Sequence, residues 1–258
     1  MERRKALEIL GIGSIGLVTS GYKLNNEKKS HYITLSFDDG FEKSSIKTAE
    51  IYEKYRLSAC INVIATAHLN QFKLPNEYHK NPVGDFSLWN ELKSRGHEIM
   101  PHTYRHQNLT EISLNEAQDL INKCFDFFGE NLDGFVAEES IYNFAYNAST
   151  PEIEAWLASK VRAFRTAGPA YNHLSDINTK KLTCISYGPD NIDLFLEKTI
   201  NEFLNGPSGW YIFNTHGLDD EGWGPLSSGF LDELLDRLSN IKNVEVLPVV
   251  PVLDTTMK

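Results

Sequence analysis

The stretch Tyr32-Ile33-Thr34-Leu35-Ser36-Phe37-Asp38-Asp39-Gly40 decides the fold. It is a β-rich run over 32–37 that stops at two carboxylates and a glycine. Residues 44–55 follow with apolar positions at helical spacing (Ile46, Ala49, Ile51, Tyr52). Residues 58–64 are again an apolar, buried-type strand. Strand, helix and buried strand in about thirty residues make a parallel unit, because a crossover helix is what joins parallel neighbours.

The same rhythm continues outward. Helical patterns cover 87–95, stopped by Gly96, and 113–128, where Ser113 is an N-cap with Glu116 three residues on. Further helices are expected over 152–160 behind Thr150-Pro151, over 192–204 ended by Asn205-Gly206-Pro207, and over 226–238. Strands are expected at 97–100, 141–146, 161–166, 182–186, 210–215 and, last, 244–247. Seven or eight such units in one chain of 258 residues point to a single α/β domain closing into a barrel of 7–8 parallel strands. No internal repeat, low-complexity tract or linker divides residues 31–258.

Residues 1–30 read separately. Glu2-Arg3-Arg4-Lys5 precedes an apolar stretch, 6–18, loosened by Gly11, Gly13 and Gly16; Thr19-Ser20-Gly21 and a polar run then follow. That is the layout of an export signal, twin-arginine-like, and it places the protein in the periplasm or outside the cell. The apolar stretch is too short to span a membrane. A net charge of -10 argues against nucleic acid or an anionic membrane as partner. Cys60, Cys124 and Cys184 lie far apart in apolar segments and read as buried free thiols. The sequence carries no sign of oligomeric state.

Reactive groups in parallel α/β architectures gather at the carboxyl ends of strands. Three apolar runs end there in ionisable residues: Asp38 and Asp39; His102 and His106; and His216. One carboxylate and two imidazoles on a divalent ion leave positions open for water and substrate, as a catalytic site requires. A second carboxylate is then free to act as a general base, and an imidazole on another strand can protonate a leaving amine or alkoxide. The set suffices to hydrolyse an amide or an ester.

The segments Ser36-Phe37-Asp38-Asp39-Gly40, Gly96-His97-Glu98-Ile99 leading to His102-Thr103-Tyr104-Arg105-His106, and Asn214-Thr215-His216-Gly217 resemble, in order, motifs of the polysaccharide deacetylase family, the chitooligosaccharide deacetylase (NodB) homology domain. The resemblance runs from about residue 31 to 254. It implies a distorted (β/α) barrel, Asp38 as general base, Asp39, His102 and His106 as ligands of zinc or another divalent cation (Co2+, Ni2+, Mn2+), and His216 as general acid. It also implies an acetylated glycan as substrate.

The third motif departs from the family's pattern: Asn143-Phe144-Ala145-Tyr146-Asn147-Ala148 lacks its arginine, its proline and one aromatic residue. By the resemblance the oxyanion donor there would be a backbone N–H, which Ala148 or, in the other register, Tyr146 still owns. Arg165, at another strand end, is the candidate for the missing charge beside Asp38. Asp190 and Asp193 are candidates for the acid that orients His216. Trp223 and Tyr104 are candidates for sugar contact, and residues 67–85 for the wall of the cleft. His97 reads as a turn-stabilising residue, and His31, His68, His79 and His173 as exposed or loop histidines. Three other readings stay open: a non-catalytic carbohydrate-binding protein of this fold, an amidase on a small non-sugar substrate, and, from the two-His-one-carboxylate set, a non-haem iron oxygenase.

Overall fold

The computed structural model describes residues 31–72, 80–174 and 180–256; the expected export signal lies outside them. Strands β1 (His31–Phe37), β2 (Cys60–Val63), β3 (Glu98–Pro101), β4 (Ile141–Asn143), β5 (Ala163–Ala167), β6 (Tyr171–Asn172), β7 (Lys181–Ser186), β8 (Gly209–Thr215) and β9 (Val244–Val246) form one sheet. Along the path β3-β2-β1-β8-β7-β5-β4 every pairing is parallel. β9 adds in parallel to the start of β1, and the two-residue β6 runs antiparallel to β8.

The path almost closes on itself. At the seam Asn143 Nδ2 donates to Pro101 O (3.2 Å) and His102 Nδ1 lies 3.1 Å from Asn143 O. Side chains thus replace the ladder between β3 and β4, which makes a distorted barrel of seven parallel strands.

Outside it pack α1 (Glu42–Lys54), α2 (Phe86–Ser94), α3 (Leu114–Asn131), α4 (Pro151–Leu157), α5 (Ile192–Leu204) and α6 (Ser228–Ser239). Their buried faces and the outward residues of the strands (Ile33, Leu35, Phe37, Ile61, Phe213) form the larger core. Ser113 and Thr150 cap α3 and α4 as expected, accepting from Glu116 N and Ile153 N.

The inside of the barrel is layered. Its lower part is apolar: Tyr32, Cys60, Ile141, Ala163, Leu182, Cys184, Trp210 and Ile212. From below it is stoppered by α7 (Val249–Thr256), whose Val249, Val252 and Leu253 join that cluster. Glu98 caps this helix, its carboxylate accepting from Val249 N (3.0 Å) and Val250 N (2.8 Å). The upper layer, at the carboxyl ends of the strands, is polar: Ser36, Asn62, Asn143, Arg165 and Asn214, each at most 1% exposed. Buried polar groups persist only when hydrogen-bonded, so this layer is a network.

Two expectations need correction, and one element is additional. β4 ends at Asn143 rather than at 146, because residues 145–147 turn through left-handed backbone (Tyr146 φ 58°, Asn147 φ 50°). β9 is the last strand, as expected; beyond it the β-branched run at 249–256, for which no element is expected from sequence, takes helical form and plugs the barrel. His31 is buried at 5% exposure, its ring edge-on to Phe203 at 4.9 Å, whereas His173 is exposed and His68 half-buried; His79 lies outside the described residues. All three cysteines are buried and free, as read from their apolar settings.

Candidate active site

Asp38 and Asp39 follow β1 directly, and the Asp38 N–H donates to Thr215 O (2.8 Å), which ties them to the end of β8. Backbone in the left-handed region aims the candidate groups: Asp39 φ 74°, Thr103 φ 69°, His106 φ 54° and Tyr146 φ 58°. Each such residue costs of order 1 kcal/mol or more, and such conformations gather where function demands them. Gly40, at φ 75°, closes the turn, with the Trp89 ring 3.0 Å from where a Cβ would stand.

Asp39 Oδ1 lies 3.4 Å from His102 Nε2 and 3.3 Å from His106 Nε2. All three residues are buried, with donor atoms of the set within 4.8 Å of one another. Two ligands at about 2.0–2.1 Å from one ion, at a tetrahedral angle, stand ~3.3 Å apart, so the separations fit a single divalent ion. The tautomer fits as well. Asn143 O can only accept, so His102 Nδ1 carries the hydrogen and Nε2 turns its lone pair toward Asp39. Burial would lower the His102 pKa, but Asp38 and then Asp39 outweigh it and raise it. The site therefore calls for positive charge where the imidazole and carboxylate meet.

Asp38 Oδ2 lies 3.7 Å from His102 Nε2, beside that cluster, but Asp38 is held differently. Arg165, fully buried on β5, donates from Nη1 to Oδ1 (3.1 Å) and from Nη2 to Oδ2 (2.5 Å), a bidentate fork. Nη1 also reaches Ser36 Oγ (2.8 Å), and Asn62 Nδ2 donates to Asp38 Oδ1 (2.7 Å). Asn62 in turn accepts from Asn143 Nδ2 (2.9 Å). Burial alone would raise the Asp38 carboxyl; Arg165, then His102, overcome this and hold it below the usual carboxylate range.

A cavity of 330 Å³ is lined by Asp38, Asp39, His102, His106, Tyr146, Asn147, Ser186, Asn214, His216 and Trp223. His216 and Trp223 meet edge to face, ring centroids 5.6 Å apart. Tyr146 packs on His106 at 4.6 Å, and both also line a neighbouring cavity of 790 Å³. Tyr104 lies there, together with Leu69, Gln71 and Phe72 from the expected cleft wall, of which residues 73–79 are outside the described set.

Of the two candidate oxyanion donors, the Ala148 N–H donates to Ala145 O (3.1 Å) within the turn. Asp193 accepts from Ser227 N (3.1 Å) and Ser227 Oγ (2.6 Å), fastening α6 rather than His216, and Asp190 is exposed. His97 is structural, its Nδ1 accepting from Ala59 N (3.0 Å). Asn62, Asn143, Asn147 and Asn214 were not singled out from sequence. Their signal was an amide inside or just after an apolar strand, where only a built network keeps it.

The family pattern described as polysaccharide deacetylase matches residues 25–183, more than half of the chain. The protein belongs to the polysaccharide deacetylase family. Among solved structures it shares the fold of the peptidoglycan deacetylase PdaC from Bacillus subtilis (16% identity, 88% of this chain and 91% of that one, TM-score 0.54). The Xyl-CE4 domain of a multidomain xylanase from the hindgut metagenome of Trinervitermes trinervoides is similar too (15%, 89% and 92%, 0.59). So is a family 4 acetyl xylan esterase from Clostridium thermocellum solved with a cobalt ion (14%, 86% and 90%, 0.58). No curated protein matches the chain. Among the described residues no helix is long and apolar enough to cross a membrane.

Proposed function

We propose that residues 31–258 are a catalytic domain that removes acetyl groups from a glycan with the help of one divalent ion. The observation that carries this reading is the pairing of two differently held carboxylates in one cavity. Asp39 joins His102 and His106, while Asp38 is gripped by Arg165. Held by Asp39, His102 and His106, a zinc-like ion would supply Lewis-acid polarisation and a usable nucleophile at neutral pH.

The protein groups do the rest. Asp38, kept ionised by Arg165, takes the proton of the attacking water. The Tyr146 N–H is the candidate donor to the developing oxyanion. His216, on the wall formed by β8, gives a proton to the departing amine or alkoxide. Trp223 beside it offers a flat apolar face to a sugar ring.

The esterase with cobalt and the peptidoglycan deacetylase support this reading by shared fold, and leave N- and O-linked acetyl groups both open. The non-catalytic alternative draws on the altered third motif alone, and there Arg165 supplies the guanidinium. The charged and apolar leader of residues 1–30 supports export to where such polymers lie.

The test is acetate release from a panel of acetylated chito-oligosaccharides, peptidoglycan and xylan, beside small non-sugar amides. At least one glycan is expected to release acetate, with activity falling more than tenfold on chelation and returning with zinc or cobalt. Hydrolysis of the small amides alone, or activity indifferent to chelator, would defeat the reading.

A further inference from the structure

His216 has a buried Nδ1 that meets no hydrogen-bonding group among the described residues. The acids that sequence offered for it are elsewhere, Asp193 on α5 bonded to Ser227 at the start of α6, and Asp190 in solvent. Another device bears on this histidine. After β8 the chain folds back as a strap over 217–226, closed by Leu226 N to Gly217 O (3.1 Å) and Asp219 N to Leu226 O (2.8 Å). At its apex Glu221 turns inward and is 5% exposed. Its Oε2 accepts from Ser44 N (2.7 Å) and Ser44 Oγ (2.6 Å), while Leu218 N donates back to Ser44 Oγ (2.9 Å).

Ser44 lies in the first turn of α1, where free N–H groups and the helix dipole favour a carboxylate. That helix continues directly from Asp38-Asp39-Gly40-Phe41. The latch therefore joins the loop of the base to the loop of the acid. The strap is pressed onto His216. A Cβ on Gly222 (φ +85°) would stand 3.0 Å from His216 Cβ and 3.0 Å from the Phe41 ring, and one on Gly217 would collide with Glu221 O. Trp223 then lays its ring against the imidazole.

We propose that Glu221 is a positioning residue, whose latch to Ser44 sets the His216 ring across the pocket from Asp38. The proposal rests on the reading of His216 as general acid. As the C–N or C–O bond of the tetrahedral adduct breaks, its electron pair stays on the leaving atom. The imidazolium proton passes to that atom, His216 becomes neutral, and the acyl carbon departs as acetate. A ring displaced by about 1 Å costs about 10²-fold in such a transfer.

Two substrates separate positioning from mere support of the loop. A sugar amine or alkoxide needs the proton; the 4-nitrophenolate of 4-nitrophenyl acetate leaves without it. Glu221→Ala is expected to lower kcat on the deacetylated glycan about 10²-fold at constant KM. It should lower kcat on 4-nitrophenyl acetate by no more than about threefold, with ion content unchanged. Glu221→Gln, which keeps an acceptor oxygen, should recover most of the glycan rate. Should Glu221→Ala fail to fold, Glu221→Asp, one methylene too short to keep both bonds, serves with the same pair of substrates. Equal losses on both substrates, or no loss on either, overturn the proposal. His216→Ala is the control: if it spares the glycan rate, the general-acid reading itself has failed, and the latch with it.

Discussion

Asp38→Asn is expected to keep the ion and lose turnover. The amide has the size of the carboxylate and its oxygen can still accept from Asn62 Nδ2 and Arg165 Nη1, but its NH2 then faces Arg165 Nη2, so one arm of the fork is lost and stability falls while the cavity keeps its size. It cannot take a proton from water. General-base contributions are typically 10²–10⁴-fold, and kcat for acetate release should fall by about that factor. Metal content by elemental analysis should match the wild type, because Asp38 is not in the Asp39–His102–His106 set. A variant with full turnover would show that Asp38 is not the base; one that loses the ion would place Asp38 among the ligands.

Arg165→Met should be the most destabilising single change in the site. The guanidinium is fully buried and gives its fork to Asp38 and a further bond to Ser36. Removing it leaves the Asp38 carboxylate enclosed with Asn62 as its remaining side-chain donor. Breaking a buried pair on one side costs about 3–5 kcal/mol, which for a domain of this size is a fall in Tm of roughly 6–20 °C. Turnover should fall with it, since burial then favours the protonated carboxyl. Arg165→Lys should recover part of the stability and less of the activity, because a single ammonium cannot form the fork. Differential scanning calorimetry and acetate release check both; a variant as stable and active as wild type removes Arg165 from the account.

Much of the fold was legible because period and punctuation agreed. The apolar run ending in Asp38-Asp39-Gly40, the Ser113 cap and the Asn205-Gly206-Pro207 stop each marked an element that exists. The misreadings share one cause, tertiary context overriding local preference. Residues 249–256, where the sequence suggests no element, form a helix because they plug the barrel floor and Glu98 caps their first turn. Residues 144–146 look extended, yet the loop must turn to bring Tyr146 and Asn147 to the cavity.

The site was legible to the extent that its groups stand at strand ends. The spacing of His102 and His106, and Asp39 beside Asp38, could be read directly. Arg165 was reachable by asking where the charge lost from the third motif had gone, and β5 lies next to β4 in the sheet. The Glu221–Ser44 latch was not legible, since residues 177 positions apart give no local sign that a strap and a helix start will meet. Nor could sequence say that the Ala148 N–H donates inside its own turn.

The central claim is that Asp39, His102 and His106 hold one divalent ion. Its most direct test is an anomalous difference map from crystals grown with zinc, recorded on both sides of the metal's absorption edge. The account predicts a single peak at about 2.0–2.2 Å from an Asp39 oxygen and from Nε2 of both histidines, and its loss in His102→Ala. A peak bound by other residues, or none at this cluster under saturating zinc, would contradict it.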